Sequence, residues 1–186
     1  MRENPIGTAT TRSAERSPRR SLLATGALIT ALLALASGLV LVAAADPGRQ
    51  MPDEGREHVP EGAAVRYGHY PPTSGPHWPN WVPWNVYTEQ VPPELWVHNL
   101  EHGGIVILYR CDTPCPSLVQ QLQAVFTTFP RSKWGHVKLV IAPDPKLRTR
   151  LAILAWTWID EMEEFDRERL LRFYRTRVDR GPEDVP

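Results

Sequence analysis

Ile105-Val106-Ile107-Leu108-Tyr109, followed by Arg110-Cys111-Asp112-Thr113-Pro114-Cys115-Pro116-Ser117, is the stretch whose reading decides the fold. A short, continuous apolar run bounded by a turn-rich segment predicts a buried strand. Downstream, Leu118, Leu122, Val125, Phe126 and Phe129 recur at helical spacing, opened by Pro116-Ser117 and stopped by Pro130. Val137 to Ile141 predicts a second strand, ended by Pro143 and Pro145. Leu151 to Ile159 is rich in β-branched and aromatic residues and predicts a third. Asp166 can cap a last helix over 167–178, with Leu170, Leu171, Tyr174 and Val178 turned inward. The order strand, helix, strand, strand, helix implies an α+β fold: a small mixed sheet with two helices packed on it.

Upstream the character changes. From Tyr67 to Pro93 prolines are too dense for an interior helix or a central strand. Tyr67, Tyr70, Trp78, Trp81, Trp84 and Tyr87 argue against disorder, because such rings seek burial. The segment is expected to be an extended, ordered loop. Trp78, Trp81 and Trp84 recur every three residues, the period of a polyproline helix, and would form one stripe that covers the core or binds a sugar or peptide. Residues 46–62 are polar and hold Pro47, Pro52 and Pro60; they read as a linker.

The 186 residues carry 21 basic and 21 acidic side chains. Near-average composition excludes a collagen-like, fully disordered or nucleic-acid-coating protein, and two cysteines exclude a disulfide-built miniature domain. Zero net charge conceals an asymmetry. Residues 1–20 hold five arginines against two glutamates, residues 21–45 hold no charge, and the body carries −3. The uncharged stretch Ser21 to Ala45 would reach about 37 Å as a helix, enough to cross a hydrocarbon core of ~30 Å. Arginines on its N-terminal side place that end in the cytoplasm and the body outside. The expected organisation is a cytoplasmic basic tail (1–20), a single-pass signal anchor (21–45), a linker (46–62) and an extracytoplasmic domain (63–184). Cleavage after Ala43-Ala44-Ala45 is the alternative, although the stretch is long for a signal peptide's apolar region. The membrane is the one partner implied, with no nucleic acid. The last helix, with Arg167, Arg169, Arg172, Arg175 and Arg177, reads as a solvated face able to touch anionic lipid.

Four of six histidines fall within residues 69–102, in two motifs. GHYPPTSGPHWPNW carries His69 and His77 in a stiff frame. VHNLEHGG carries His98 and His102 around Glu101. Imidazole is the usual side-chain ligand of zinc and copper, and a rigid frame lowers the cost of ordering two ligands. In a helix begun at Pro93 and stopped at Gly103, His98 and His102 share a face. In a strand they share one too. These four histidines are the candidate copper or zinc ligands, with Glu101, Cys111 and Cys115 as further candidates. Lack of neighbouring methionine favours Cu(II) or Zn over Cu(I). The competing reading is that the histidines are simply hydrogen-bonded packing residues.

HNLEH also matches the H-x-x-E-H pattern of zinc peptidases, which would need a carboxylate from Glu161, Glu163 or Glu164. Taken together, HYPPTSGPHWP, VHNLEHGGIVILY, the segment around Ala155-Trp156 and Gly181-Pro182-Glu183 resemble an uncharacterised bacterial family known only as a domain of unknown function. Its members often have an N-terminal membrane anchor. The resemblance covers roughly residues 57–184. It implies one exported domain and no particular activity.

Cys111 and Cys115 follow a strand and precede a helix. Outside the cytoplasm such a pair is expected to oxidise to a small-loop disulfide. The arrangement also resembles that of thioredoxin, where a helix N-terminus lowers a thiol pKa. C-x-x-x-C-P is similar to the copper-delivery proteins of the Sco type. That resemblance implies a distant histidine, His136 or one of the cluster, as a further ligand.

Overall fold

The structure is a computed structural model and describes residues 46–186. The basic tail and the membrane segment expected at 1–45 lie outside the described residues. Among the described residues, no helix is long and apolar enough to cross a membrane.

The elements in chain order are β1 (Arg49–Gln50), β2 (Asn85–Val86), α1 (Pro93–Glu101), β3 (Ile105–Tyr109), α2 (Pro116–Thr128), β4 (Leu139–Pro143), β5 (Leu151–Ala155), β6 (Trp158–Met162) and α3 (Arg167–Arg177). The strands form one mixed sheet in the order β1-β6-β5-β3-β4-β2. β3 is parallel to β4 and antiparallel to β5. The fold is α+β, as expected, but with three helices rather than two.

β3 is apolar throughout because both faces are covered. Ile105, Ile107 and Tyr109 join Leu118, Leu122 and Val125 of α2 and Leu170, Phe173 and Tyr174 of α3 in one cluster. Val106 and Leu108 join Trp96, Val97 and Leu100 of α1 in a second. The expected helices α2 and α3 thus share a face, and Asp166 caps α3 by accepting from the Arg169 N–H at 2.9 Å. The opposite face belongs to α1 and the proline-rich loop.

Residues 151–162 form a hairpin, not the single strand expected over 151–159. Its turn, Trp156-Thr157, lacks the Asn-Gly or Asp-Gly signature of a two-residue hairpin turn. Thr157 instead takes φ 57°. Tertiary bonds hold it there: its N–H donates to Thr73 O at 2.9 Å, and its carbonyl accepts from Met51 N at 2.8 Å.

The segment 46–62 is likewise not a free linker. Arg49 and Gln50 pair with β6, and His58 forms a parallel bridge with His77. These pairings join positions far apart in sequence, so composition alone could not reveal them.

The tryptophans do not form one exposed stripe. The Trp78 indole donates to Ala63 O at 2.9 Å, and Trp84 packs on the second cluster; Trp81 is half exposed. The Trp84 ring lies where a side chain at Gly104 would begin. A Cβ built there would sit 2.3 Å from Trp84 Cη2, which explains the glycine. The arginines of α3 are partly committed: Arg169 grips Asp160 with bonds of 2.7 and 2.6 Å, and Arg177 stacks over Trp158 at 3.8 Å.

Burial is the first cause of a raised phenol pKa at Tyr67, Tyr70, Tyr87, Tyr109 and Tyr174, the whole tyrosine complement of the chain. Tyr174 is pushed up to about 12. A group whose pKa is higher when folded stabilises the fold below its unfolded pKa, here ~10. That stability disappears as pH rises toward the folded value. Phenolate absorbance is therefore expected to appear late and together with loss of circular dichroism, between pH ~10 and about 12. Independent, early titration of the tyrosines in folded protein would contradict the packing described above.

Candidate metal centre

α1 starts where Pro93 supplies a preset first-turn φ and lacks only an N–H that has no helical partner. It ends at Gly103, in the left-handed region at φ 75°. Its terminal carbonyls are all used. Asn99 O accepts from Gly104 N at 2.8 Å, Leu100 O from Gly103 N at 2.9 Å, and Glu101 O from Glu183 N at 3.0 Å. The His102 carbonyl accepts from the buried Lys138 ammonium at 2.8 Å. One side of α1 packs Trp96, Val97 and Leu100 on the sheet. The other side directs His98 and Glu101 toward the proline-rich loop.

The loop brings His77 against that side, and the backbone bridge sets His58 beside His77. Val59 N donates to His77 O at 2.8 Å, and His77 N to Glu57 O at 3.0 Å. The three rings form a triangle with centroid separations of 4.9, 4.9 and 5.0 Å. One ligand atom from each of His58, His77, His98 and Glu101 lies within 4.8 Å of the others, so the group could hold a metal ion. His77, His98 and Glu101 are buried and His58 is exposed.

Hydrogen bonding selects the reactive nitrogens. His77 Nδ1 lies 2.8 Å from Gly75 O, and His98 Nδ1 lies 2.9 Å from Trp78 O. A carbonyl only accepts, so each Nδ1 carries the hydrogen and each neutral ring keeps its lone pair on Nε2. The His77 Nε2 faces Glu101, and the His98 Nε2 faces the His102 ring at 2.9 Å. His77 Nε2 stands 2.9 Å from Glu101 Oε2, and His58 Nε2 stands 3.5 Å from the same oxygen. A lone pair facing a carboxylate oxygen requires a proton or a cation between them. Carbonyl-anchored imidazoles are the usual means of orienting metal ligands. Burial holds His98 below the ordinary imidazole pKa, which favours the neutral ring.

A family model described as "Protein of unknown function (DUF3105)" matches residues 58–185, most of the chain. The chain belongs to this family. No curated protein and no solved structure matches it. In this DUF3105 domain the match begins at His58, the first member of the cluster.

Of the residues singled out in the sequence, His77, His98 and Glu101 of the DUF3105 domain converge. His102 is adjacent but differently engaged. Because His98 Nε2 can only accept, His102 Nε2 donates to it across 2.9 Å, with Glu183 Oε2 at 3.4 Å. Burial, then the His98 neighbour, pushes its pKa down to about 4. His69 lies apart from the cluster and braces the loop: Nδ1 meets Glu54 Oε1 at 2.7 Å and Nε2 meets Thr73 Oγ1 at 3.2 Å.

Cys111 and Cys115 are joined in a disulfide. They follow β3, whereas His102 precedes it, so a five-residue strand of ~3.3 Å per residue separates them. His136 precedes β4, which runs parallel to β3, and so lies at the histidine end as well. The ligand set implied by the Sco resemblance is therefore not assembled. The H-x-x-E-H reading fails on its third carboxylate. Glu161 pairs with Arg49 at 2.7 Å, Glu163 and Glu164 lie by the α2–β6 clefts, and Glu101 itself sits among the histidines.

His58 was not visible as a ligand in the sequence. Its only local setting is a polar, proline-punctuated segment, and its partner His77 is reached through a nonlocal backbone bridge.

Proposed function

We propose that this domain is a metal-binding module, tethered to the outer side of a cell membrane, which holds one Cu(II) or Zn(II) ion with His58, His77, His98 and Glu101. One observation carries the reading. Three imidazoles and a buried carboxylate each bring a ligand atom within 4.8 Å of the others, and backbone carbonyls fix two of the rings through Nδ1. Three nitrogens and one carboxylate suit zinc or copper better than calcium or magnesium, which favour all-oxygen sites. No thioether belongs to the set, which weighs against Cu(I). Tetrahedral ligands ~2.0–2.1 Å from an ion stand roughly 3.4 Å apart, so the cluster must contract slightly on binding. Four protein ligands fill a tetrahedral zinc site, which favours holding the ion over hydrolytic chemistry. The outside location is supported by the basic tail, the uncharged stretch of 25 residues and the disulfide.

Full-length protein purified without chelator is expected to contain close to one equivalent of zinc or copper by elemental mass spectrometry. Glu101→Gln and His77→Ala should each lower metal affinity by about 10–100-fold or more. Metal content that is negligible in the wild type, or unchanged in both variants, would overturn the assignment.

A further inference from the structure

The disulfide lies at the other end of β3 from the metal cluster and asks for its own explanation. A disulfide that stabilises a fold does so chiefly by closing a long loop in the unfolded chain. This one spans a separation of four residues, and β3 and α2 already hold both of its ends. Cys111 is exposed and Cys115 partly buried, at the rim of the first core cluster. Exposed disulfides are the labile, exchanging kind, whereas structural ones resist thiols.

The surroundings favour a thiolate at Cys115. It is the N-cap of α2, a helix of 13 residues with no acidic side chain in its first turn, so the helix itself places no negative charge at that positive end. Arg110 and Arg150 line the same cleft, beside Asp112 and Glu163. The Arg110 guanidinium is held there by Leu147 O at 2.7 Å and Arg148 O at 3.0 Å and pairs with Asp112 at 3.2 Å, which leaves Arg150 and the helix end as the further positive groups of the cleft. The cleft leaves the exposed Cys111 sulfur open to an incoming thiol.

We propose that Cys111–Cys115 is a redox-active disulfide that accepts two electrons from an external dithiol. A thiolate of the dithiol attacks Cys111 Sγ, the Cys111–Cys115 bond breaks, and its electron pair leaves on Cys115 as a thiolate. The second thiolate of the dithiol then attacks its own sulfur in the mixed disulfide and releases Cys111. Two electrons and two protons pass to the cysteine pair, and the dithiol becomes a disulfide. This proposal stands independently of the metal reading.

The test compares the native full-length protein with the same protein unfolded in urea, each treated with dithiothreitol and followed by thiol alkylation and mass spectrometry. The native disulfide is expected to be reduced at least tenfold faster than the unfolded one. A native rate equal to or below the unfolded rate overturns the proposal. The order of attack is tested by treating the native disulfide with reduced glutathione and quenching with acid: mass spectrometry should find the trapped glutathione on Cys111 at least tenfold more often than on Cys115. Equal trapping at the two cysteines would overturn the assigned roles.

Discussion

Addition of zinc or Cu(II) to metal-free protein is expected to raise the melting temperature by about 10 °C or more, and His77→Ala is expected to abolish that shift. A ligand that binds only the folded state stabilises it by ~4 kcal/mol at 1,000 times its Kd. A domain of this size gains several degrees per kcal/mol. The metal-dependent shift is the quantity to read, not the melting temperature itself. Removing His77 also strips Glu101 of its 2.9 Å partner in a buried site, which costs stability with or without metal. Glu101→Gln should reduce the shift strongly. His69→Gln should lower the baseline, since His69 ties Glu54 to Thr73, and leave the shift intact. Differential scanning calorimetry with and without metal separates these outcomes. A shift that survives in His77→Ala but vanishes in His69→Gln would place the ion elsewhere.

The contrast between His69 and His77 shows where sequence reasoning reaches its limit. Both sit in the same proline-stiffened motif, and both are histidines beside aromatics. What separates them is the partner of each Nδ1: a carboxylate for His69, a backbone carbonyl for His77. That difference depends on how the loop crosses α1 and the 46–62 segment, which no local pattern encodes. The i, i+4 spacing of His98 and His102 does put both on one side of α1. Their contact, however, is ring to ring at 2.9 Å, and Glu101, one residue earlier than His102, is the side chain that reaches His77.

The central part of the fold was legible because it rests on burial. β3, β4, α2 and α3 are announced by apolar runs, helical spacing, Pro116 and Asp166. α1 was ambiguous because Trp96 to Glu101 is buried on every side, so no polar face betrays the helical period. β1 and β2 are two-residue edge strands whose pairing is decided by tertiary contacts, and the hairpin turn at Thr157 depends on Thr73 and Met51.

The link between fold and site passes through Asn99, and its loss should be strongly damaging although it removes no apolar core. The Asn99 side chain is fully buried and copies a strand partner: Oδ1 accepts from Val82 N at 3.1 Å, and Nδ2 donates to Val82 O at 2.8 Å. In Asn99→Ala both backbone groups of the buried Val82 lose their partner where water cannot readily replace it. At ~1–3 kcal/mol for each unsatisfied group, a loss of about 2–5 kcal/mol is expected. Val82 lies four residues beyond Trp78, whose carbonyl orients His98 Nδ1, and next to Trp81, whose ring stands 5.3 Å from that of His98. The same substitution should therefore weaken metal binding several-fold although Asn99 is no ligand. Asn99→Asp keeps the acceptor but loses the donor and buries a charge, so it should not rescue stability. Urea denaturation of metal-free and metal-loaded protein measures both effects. A loss below about 1 kcal/mol in Asn99→Ala, within the range of an ordinary surface substitution, would mean that the loop holds its place over α1 without this clamp.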